Sequence, residues 1–282
     1  MRKKTVAVLF THDERLQSNQ SMRLGLLFDA GVPEGAQDLE IAGLTADSRT
    51  VEQGYVFAAL KGVAGHGRDF LAQAKARGAV AILSGGDLPD EPGVPHVVSS
   101  NPRLALARAA SRFYPRRPET IVAVTGTNGK SSTVDFLRQI WAHAGKRAAS
   151  MGTLGAIWDR GSLDLGHTTA DPVQIHRSLA MFADEGVTHV AMEASSHGLD
   201  QRRMDAVRVK AAAFTNLTQD HLDYHLSMSD YRQAKQRIWE LVETDGWAVI
   251  NADATEGPAF EAEARRAGLS IALAGWRAPP DS

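Results

Sequence analysis

The sequence predicts an α/β protein: a small N-terminal α/β unit, then a second α/β unit of P-loop type with a mainly parallel sheet. Three features of the chain predict it. Short apolar runs alternate with longer amphipathic ones, which implies parallel strands joined by right-handed helical crossovers. Over Val124–Ser132 a buried-strand pattern runs into a glycine turn, with a helix opening at a lysine. Pro115-Arg116-Arg117-Pro118 separates the two runs and reads as a linker.

The elements follow in order. Met1–Val6 is basic and His12–Ser21 is polar without helical or strand period, so residues 1–21 read as a disordered arm or an over-extended gene start. Arg23–Ala30 is an amphipathic stretch, Leu39–Leu44 a half-buried strand, Asp47-Ser48-Arg49 a turn and Tyr55–Leu60 a second strand. Asp69–Arg77 has helical spacing, while Ala79–Leu83 and His96–Val98 read as buried strands. Pro102–Tyr114 is a helix with Asn101 as its N-cap. The first domain therefore covers residues 22–115 and the second 119–282. In the second, strands are expected at Ile121–Val124, His189–Glu193, Ala211–Thr215, Trp247–Ile250 and Ser270–Ala274. Helices are expected at Lys130–Ala144, Asp171–Glu185, Ser229–Glu243 and Glu256–Ala267.

Composition narrows the function classes. With 282 residues, 43% hydrophobic and 23% charged, the chain can bury a core without staples. Lys+Arg 31 against Asp+Glu 33 leaves a net charge of −2, so no basic field marks a nucleic-acid partner. Cysteine is absent, which excludes disulfides and thiolate metal sites and fits a cytoplasmic protein. Val6–Phe10 is too short for a signal-peptide core or a membrane span.

The strongest chemical signal is Gly126-Thr127-Asn128-Gly129-Lys130-Ser131-Ser132. Backbone amides of such a turn can face phosphate oxygens, aided by the helix N-terminus. Lys130 would neutralise the β/γ-phosphates of ATP, and the Ser131 hydroxyl suits Mg²⁺. The general pattern wants a glycine where Val124 stands, so the loop is a shortened variant. A plain turn with a solvated lysine is the alternative.

This loop resembles the nucleotide loop of the Mur ligases, ATP-dependent amide-bond ligases of peptidoglycan precursor synthesis. Thr45-Ala46-Asp47-Ser48-Arg49, followed by Gly54-x-x-Phe57-x-Ala59-Leu60-x-Gly62, resembles the family's N-terminal uridine-nucleotide domain. Met151-Gly152-Thr153 and His167-Thr168-Thr169 resemble its central domain. Met192–Leu199 and Phe214–His225 narrow the resemblance to the MurE branch, which adds the third amino acid to UDP-N-acetylmuramoyl-L-alanyl-D-glutamate.

The resemblance implies roles. The D-glutamate γ-carboxylate takes the ATP γ-phosphate as an acyl phosphate, and an incoming amine displaces it, a reaction governed by positioning and charge stabilisation. Lys130, Glu193, His221 and Lys235 would be the catalytic set. Ser131, Glu193, His221 and a carbamylated Lys235 would hold Mg²⁺. Carbamylation needs the neutral amine, which burial favours; spacing alone makes Lys235 a helix-surface lysine. Ser48, Thr168, Thr169, Ser195, Gln201 and Arg203 match substrate positions, and the Arg203 guanidinium can grip a carboxylate or pyrophosphate bidentately. Contacts at Val63 and Ala64 would run through backbone, and His167 stands where asparagine is expected. His221 and His225 are spaced for zinc on one helix face but lack the glutamate of His-Glu-x-x-His. Tyr224 stays unassigned.

The expected partners are the UDP-muramoyl-dipeptide and an amino acid, with diaminopimelate favoured over lysine by analogy alone, and the expected state is a monomer. Family members have three domains. The central sheet is expected to stop unfinished at Ala274, before the polar tail Arg277–Ser282, and no Asp-Asn-Pro-Arg motif of a third domain occurs. The expectation is an apparently truncated chain with affinity for nucleotide and UDP-substrate but little ligase activity. A non-catalytic binding fragment and a folylpolyglutamate-synthetase-like ligase are the competing readings.

Overall fold

The structure is a computed structural model that describes residues 20–62, 65–86, 88, 93–220 and 223–276. The expected arm up to residue 19, the Val63–Ala64 pair, His221 and the tail from Arg277 lie outside the described residues. The chain divides at Pro115/Arg116 into two compact units.

The first unit runs β1 (Met22–Arg23), α1 (Leu24–Leu27), β2 (Glu40–Ile41), β3 (Gly43–Thr45), β4 (Tyr55–Ala58), α2 (Leu71–Ala76), β5 (Ala79–Ser84), β6 (His96–Val98) and α3 (Pro102–Phe113). Strands β3-β4-β5-β6 form an all-parallel sheet in chain order, and β1 pairs antiparallel with β2. The single strand expected over Leu39–Leu44 is thus two. Ile41 pairs with Met22, Gly43 pairs with Tyr55, and the chain changes partners at Ala42. The amphipathic stretch Arg23–Ala30 gives only one helical turn, since Phe28 turns extended. Both turn residues that face inward, Leu24 and Leu27, are buried. Asn101 caps α3 as expected, its side chain accepting from the Leu104 amide, with Pro102 at the first helical position.

The second unit runs β7 (Thr120–Thr125), α4 (Lys130–His143), β8 (Ala148–Gly152), β9 (Gly155–Trp158), β10 (Gly161–Leu163), α5 (Pro172–Asp184), β11 (His189–Glu193), α6 (Ser196–Asp200), β12 (Val209–Phe214), α7 (Met228–Gln236), β13 (Val242–Asn251), α8 (Gly257–Arg266) and β14 (Ser270–Ala274). The sheet order is β10-β9-β8-β11-β7-β12-β13-β14. From β8 to β14 every pairing is parallel; β9 and β10 add an antiparallel edge. The central strands are buried on both faces, hence the near-continuous apolar runs of β7 and β11. Val134 of α4 meets Val124 and Ala191 on one face. On the other, Ile175, Leu179 and Phe182 of α5 and Phe260 of α8 join Ile121, Val190, Phe214 and Ile250 in one core, with Phe214 and Phe260 stacked.

The helix expected over Ser229–Glu243 stops at Gln236 and tightens to a 3₁₀ turn over Arg237–Leu241. Ile238 and Leu241 are both buried, and the three-residue repeat of a 3₁₀ turn puts them on one side.

His176 of α5 is 5% exposed, and its Nε2 has no hydrogen-bond partner. Burial pushes its pKa down to about 4, partly offset by a hydrogen bond with the Asp205 backbone. The unfolded imidazole protonates near its ordinary value while the folded one resists, so between those values the unfolded state binds more protons. Stability contributed by neutral His176 is present above about 6.5 and is lost as pH falls towards about 4, a decline of about 3 kcal/mol in all. Chemical denaturation at pH values bracketing that window measures the decline, and His176→Leu is expected to flatten it.

Candidate active site

The carboxyl ends of β8, β11, β7 and β12 lie side by side, and the chain leaves β7 first towards β8 and later returns on its other side with β12. Parallel α/β sheets bind ligands at such a reversal of strand order. The loop Gly126–Gly129 sits there between β7 and α4. Gly126 (φ +146°) and Gly129 (φ +84°) take backbone angles that disfavour side chains. A Cβ on Gly126 would lie 1.9 Å from Thr215 Oγ1, so the β12 end packs directly on the loop.

Loop and β12 end are stitched together. The Thr127 amide donates to the Asn216 carbonyl (2.8 Å) and the Asn128 amide to Asn216 Oδ1 (3.0 Å). Thr215 Oγ1 and Asn216 Nδ2 both donate to the Asn128 carbonyl, at 2.6 and 3.1 Å. Two loop amides expected to face phosphate are therefore engaged with protein. The helix leaves those of Lys130, Ser131 and Ser132 without intrahelical acceptors, so the anion-binding end is the first turn of α4. Ser131 is half-buried there and Ser132 exposed.

Lys130 Nζ folds back onto the carbonyls of Gly126 (3.0 Å) and Thr127 (2.8 Å). Burial holds its pKa below the ordinary lysine value, against the attraction of Glu193 and Asp220. Glu193, 3% exposed at the end of β11, accepts from the Thr153 amide at Oε1 (2.8 Å) and from Thr153 Oγ1 at Oε2 (3.3 Å). A Cβ on Gly152 would reach within 2.1 Å of Glu193 Oε1, so glycine there makes room for the carboxylate.

Lys235 of α7 is 1% exposed, not the surface lysine that spacing suggests. Its Nζ donates to the same Gly126 carbonyl (2.8 Å) that Lys130 uses. Burial, then the nearby Lys130 charge, push its pKa down to about 7, with Asp220 opposing. For a hard divalent cation the structure offers the Ser131 hydroxyl and the Glu193 carboxylate, oxygen donors of the right kind. Among the described residues no group of three or more His, Asp or Glu could hold a metal unaided. Mg²⁺ ordinarily borrows substrate phosphate oxygens as ligands, so the donor set fits.

The residues expected at substrate positions in this unit form a second hydrogen-bond network. Thr168 Oγ1 meets Thr153 Oγ1 (3.0 Å), and Thr169 Oγ1 donates to the Glu193 carbonyl (3.0 Å) and accepts from the Ser195 amide (3.0 Å). Ser195 Oγ caps α6, accepting from the Gly198 amide. Arg203 donates through Nε and Nη2 to Gln201 Oε1 and through Nη1 to the Thr169 carbonyl (2.8 Å). Gln201 donates to Tyr224 Oη, which donates to Asp200, giving the unassigned Tyr224 a place in the same chain. His225 is buried against the rings of His197, Tyr224 and Tyr231. In the first unit, Ser48 Oγ donates to Gln73 Oε1 (2.7 Å) just after Asp47, whose carboxyl the Arg49 side chain holds below its usual range.

Residues 124–280 match the family model described as Mur ligase middle domain, which is more than half of the chain. The chain belongs to the Mur ligase family. Residues 40–122 match a second model, described as Mur ligase family, catalytic domain. The chain is 52% identical over 229 residues to a UDP-N-acetylmuramoyl-L-alanyl-D-glutamate–2,6-diaminopimelate ligase of Brucella melitensis, across 80% of this chain and 47% of that one. A solved structure of a ligase with that same name superposes with a TM-score of 0.80 at 28% identity, across 92% of this chain and 53% of that one. MurF ligase from Thermotoga maritima, in complex with ADP, shares the fold at a TM-score of 0.56 and 20% identity, across 83% of this chain and 50% of that one. The chain spans about half the length of the curated relatives it matches.

For this Mur ligase chain, residue-level reading misses Thr153, Thr215, Asn216 and Tyr231. Three of them lie inside motifs that carry the family resemblance, and the fourth stands one helical turn before Lys235. The two loop glycines are not equivalent. Gly129→Ala meets only van der Waals contacts and is expected to cost about 1 kcal/mol in backbone strain. Gly126→Ala adds a clash with Thr215 and is expected to cost at least about 2 kcal/mol. Urea denaturation of the two variants checks the order.

Proposed function

We infer that this chain carries the nucleotide- and UDP-substrate-binding parts of a MurE-type ligase, which joins an amino acid to the D-glutamate γ-carboxylate of UDP-N-acetylmuramoyl-L-alanyl-D-glutamate. The observation that carries the reading is the grouping of Lys130, Lys235 and the buried Glu193 around one glycine loop at the carboxyl edge of a parallel sheet. The relatives' names support 2,6-diaminopimelate as the amino acid. The first unit is the uridine-nucleotide domain and the second the ATP domain.

ATP is a substrate. The D-glutamate carboxylate oxygen attacks the γ-phosphorus and ADP departs; the amine then attacks the acyl carbon, phosphate leaves and the amine proton is lost. The first turn of α4 holds the phosphates, and Lys130 leaves the loop carbonyls to neutralise the transferring group. Ser131, Glu193, His221 and Lys235, once carbamylated, would hold Mg²⁺, which supplies charge neutralisation at the phosphate oxygens. Arg203, oriented by Gln201 and Thr169, grips an anionic part of the muramoyl-dipeptide. Thr168 and Ser195 face the same substrate, and Ser48 serves the uridine end.

Titration calorimetry with MgADP and with UDP-N-acetylmuramoyl-dipeptide tests this reading. Lys130→Ala is expected to weaken MgADP at least tenfold and leave the UDP-substrate unchanged; wild-type protein that binds neither would overturn it. Burial that brings Lys235 to a pKa of about 7 keeps neutral amine available at neutral pH, the form that adds CO₂. With ¹³C-bicarbonate, a carbamate carbon signal is expected for the wild type and lost in Lys235→Arg.

A further inference from the structure

Helix α7 presents two side chains to the phosphate loop, one turn apart. Lys235 reaches the Gly126 carbonyl, and Tyr231 Oη lies 3.2 Å from Thr127 Oγ1. Tyr231 is fully buried, with the Lys235 ammonium 4.6 Å from its ring centroid and the His225 ring centroid at 5.1 Å.

The direction of the Tyr231 hydrogen bond follows from the capacity of the Thr127 hydroxyl, which has one proton and two lone pairs. Thr127 Oγ1 gives its proton to the Thr218 carbonyl (3.1 Å) and accepts from the Thr218 amide (3.0 Å). One lone pair is left, and the Tyr231 O–H fills it. The Thr127 amide is already donated to Asn216. Thr127 is therefore fixed from three directions and works as the loop's anchor point.

We propose that Tyr231 is a positioning residue for the phosphate loop: its hydroxyl braces Thr127, and its ring packs against the Lys235 side chain. This rests on the reading of the loop as a nucleotide site. The brace matters because the loop's two glycines supply no side-chain packing of their own, and an anion site works only when its donors are already aimed. The role proposed for Tyr231 runs through Thr127 and Lys235 rather than through contact with a substrate or metal.

Tyr231→Phe keeps the ring and removes only the hydroxyl. In ligand-free protein, amide hydrogen exchange across Val124–Lys130 is expected to quicken by about threefold to tenfold, the range for one lost hydrogen bond, with exchange elsewhere unchanged. MgADP is expected to weaken by a similar factor, with affinity for the UDP-muramoyl-dipeptide unaltered. In a Thr127→Val background the same substitution should change exchange and MgADP affinity by less than about twofold, since its partner is gone. Wild-type exchange in Tyr231→Phe, a full effect in the Thr127→Val background, or faster exchange spread evenly over the second unit would each overturn the proposal. Wild-type protein that fails to bind MgADP would sink the nucleotide reading instead, and the exchange comparison would still decide the brace.

Discussion

A glycine turn at the edge of a parallel sheet has no ladder and no helix to hold it, and everything at this site depends on how that turn is pinned. The Gly126 carbonyl is the centre of the arrangement. It accepts from Lys130 and from Lys235, one from the helix that follows the loop and one from a helix a hundred residues later. The Thr215–Asn216 pair at the end of β12 holds the loop's middle by hydrogen bonds to Thr127 and Asn128. Three separate segments thus converge on four residues, and they meet because β12, which leads to Thr215–Asn216 and on to α7, lies directly beside β7, which leads into the loop and α4. The fold's first task here is to make that adjacency.

Convergence has an electrostatic consequence. Lys235 shares an acceptor with the charged Lys130, which together with burial disfavours its own protonation, and burial also lowers the pKa of Lys130. Glu193 and Asp220 supply the opposing charge for Lys130. A buried carboxylate costs free energy unless its oxygens are satisfied. The Thr153 amide and hydroxyl provide this at Glu193, and they can approach because residue 152 is glycine. The short β8–β9 connection therefore does more than link strands: it shapes the carboxylate's seat.

How much of this the sequence discloses depends on whether a residue's surroundings are local. The helix at Lys130, the cap Asn101 and the strand Ser270–Ala274 are legible because propensity, capping and period agree over contiguous residues. Strand β8 is not: Ala148-Ala149-Ser150-Met151-Gly152 has no β-branched residue, and only its fully buried position between β9 and β11 makes it a strand. The split at Ala42 is equally hidden, since alternation predicts a strand but not which partner it takes on each side. In the site, Lys130 is legible from the loop alone. Glu193 and Lys235 look ordinary in isolation; their burial is a property of the sheet order, and only the family resemblance anticipates it.

The same distinction explains why Tyr231 and Lys235 are read so differently before and after folding. On a helical wheel they share one face of α7, and that helix is otherwise strongly polar. A polar helix with one tyrosine, one alanine and one lysine buried looks like weak packing against a domain surface. Against the loop, the pattern has a purpose: the tyrosine supplies an apolar ring for a desolvated ammonium and a hydroxyl for a threonine that has one lone pair remaining. A leucine at either position would bury as well and hold nothing. Here the pairing of burial with a polar tip, rather than burial or polarity alone, separates a helix that fills space from one that fixes the geometry of an anion site.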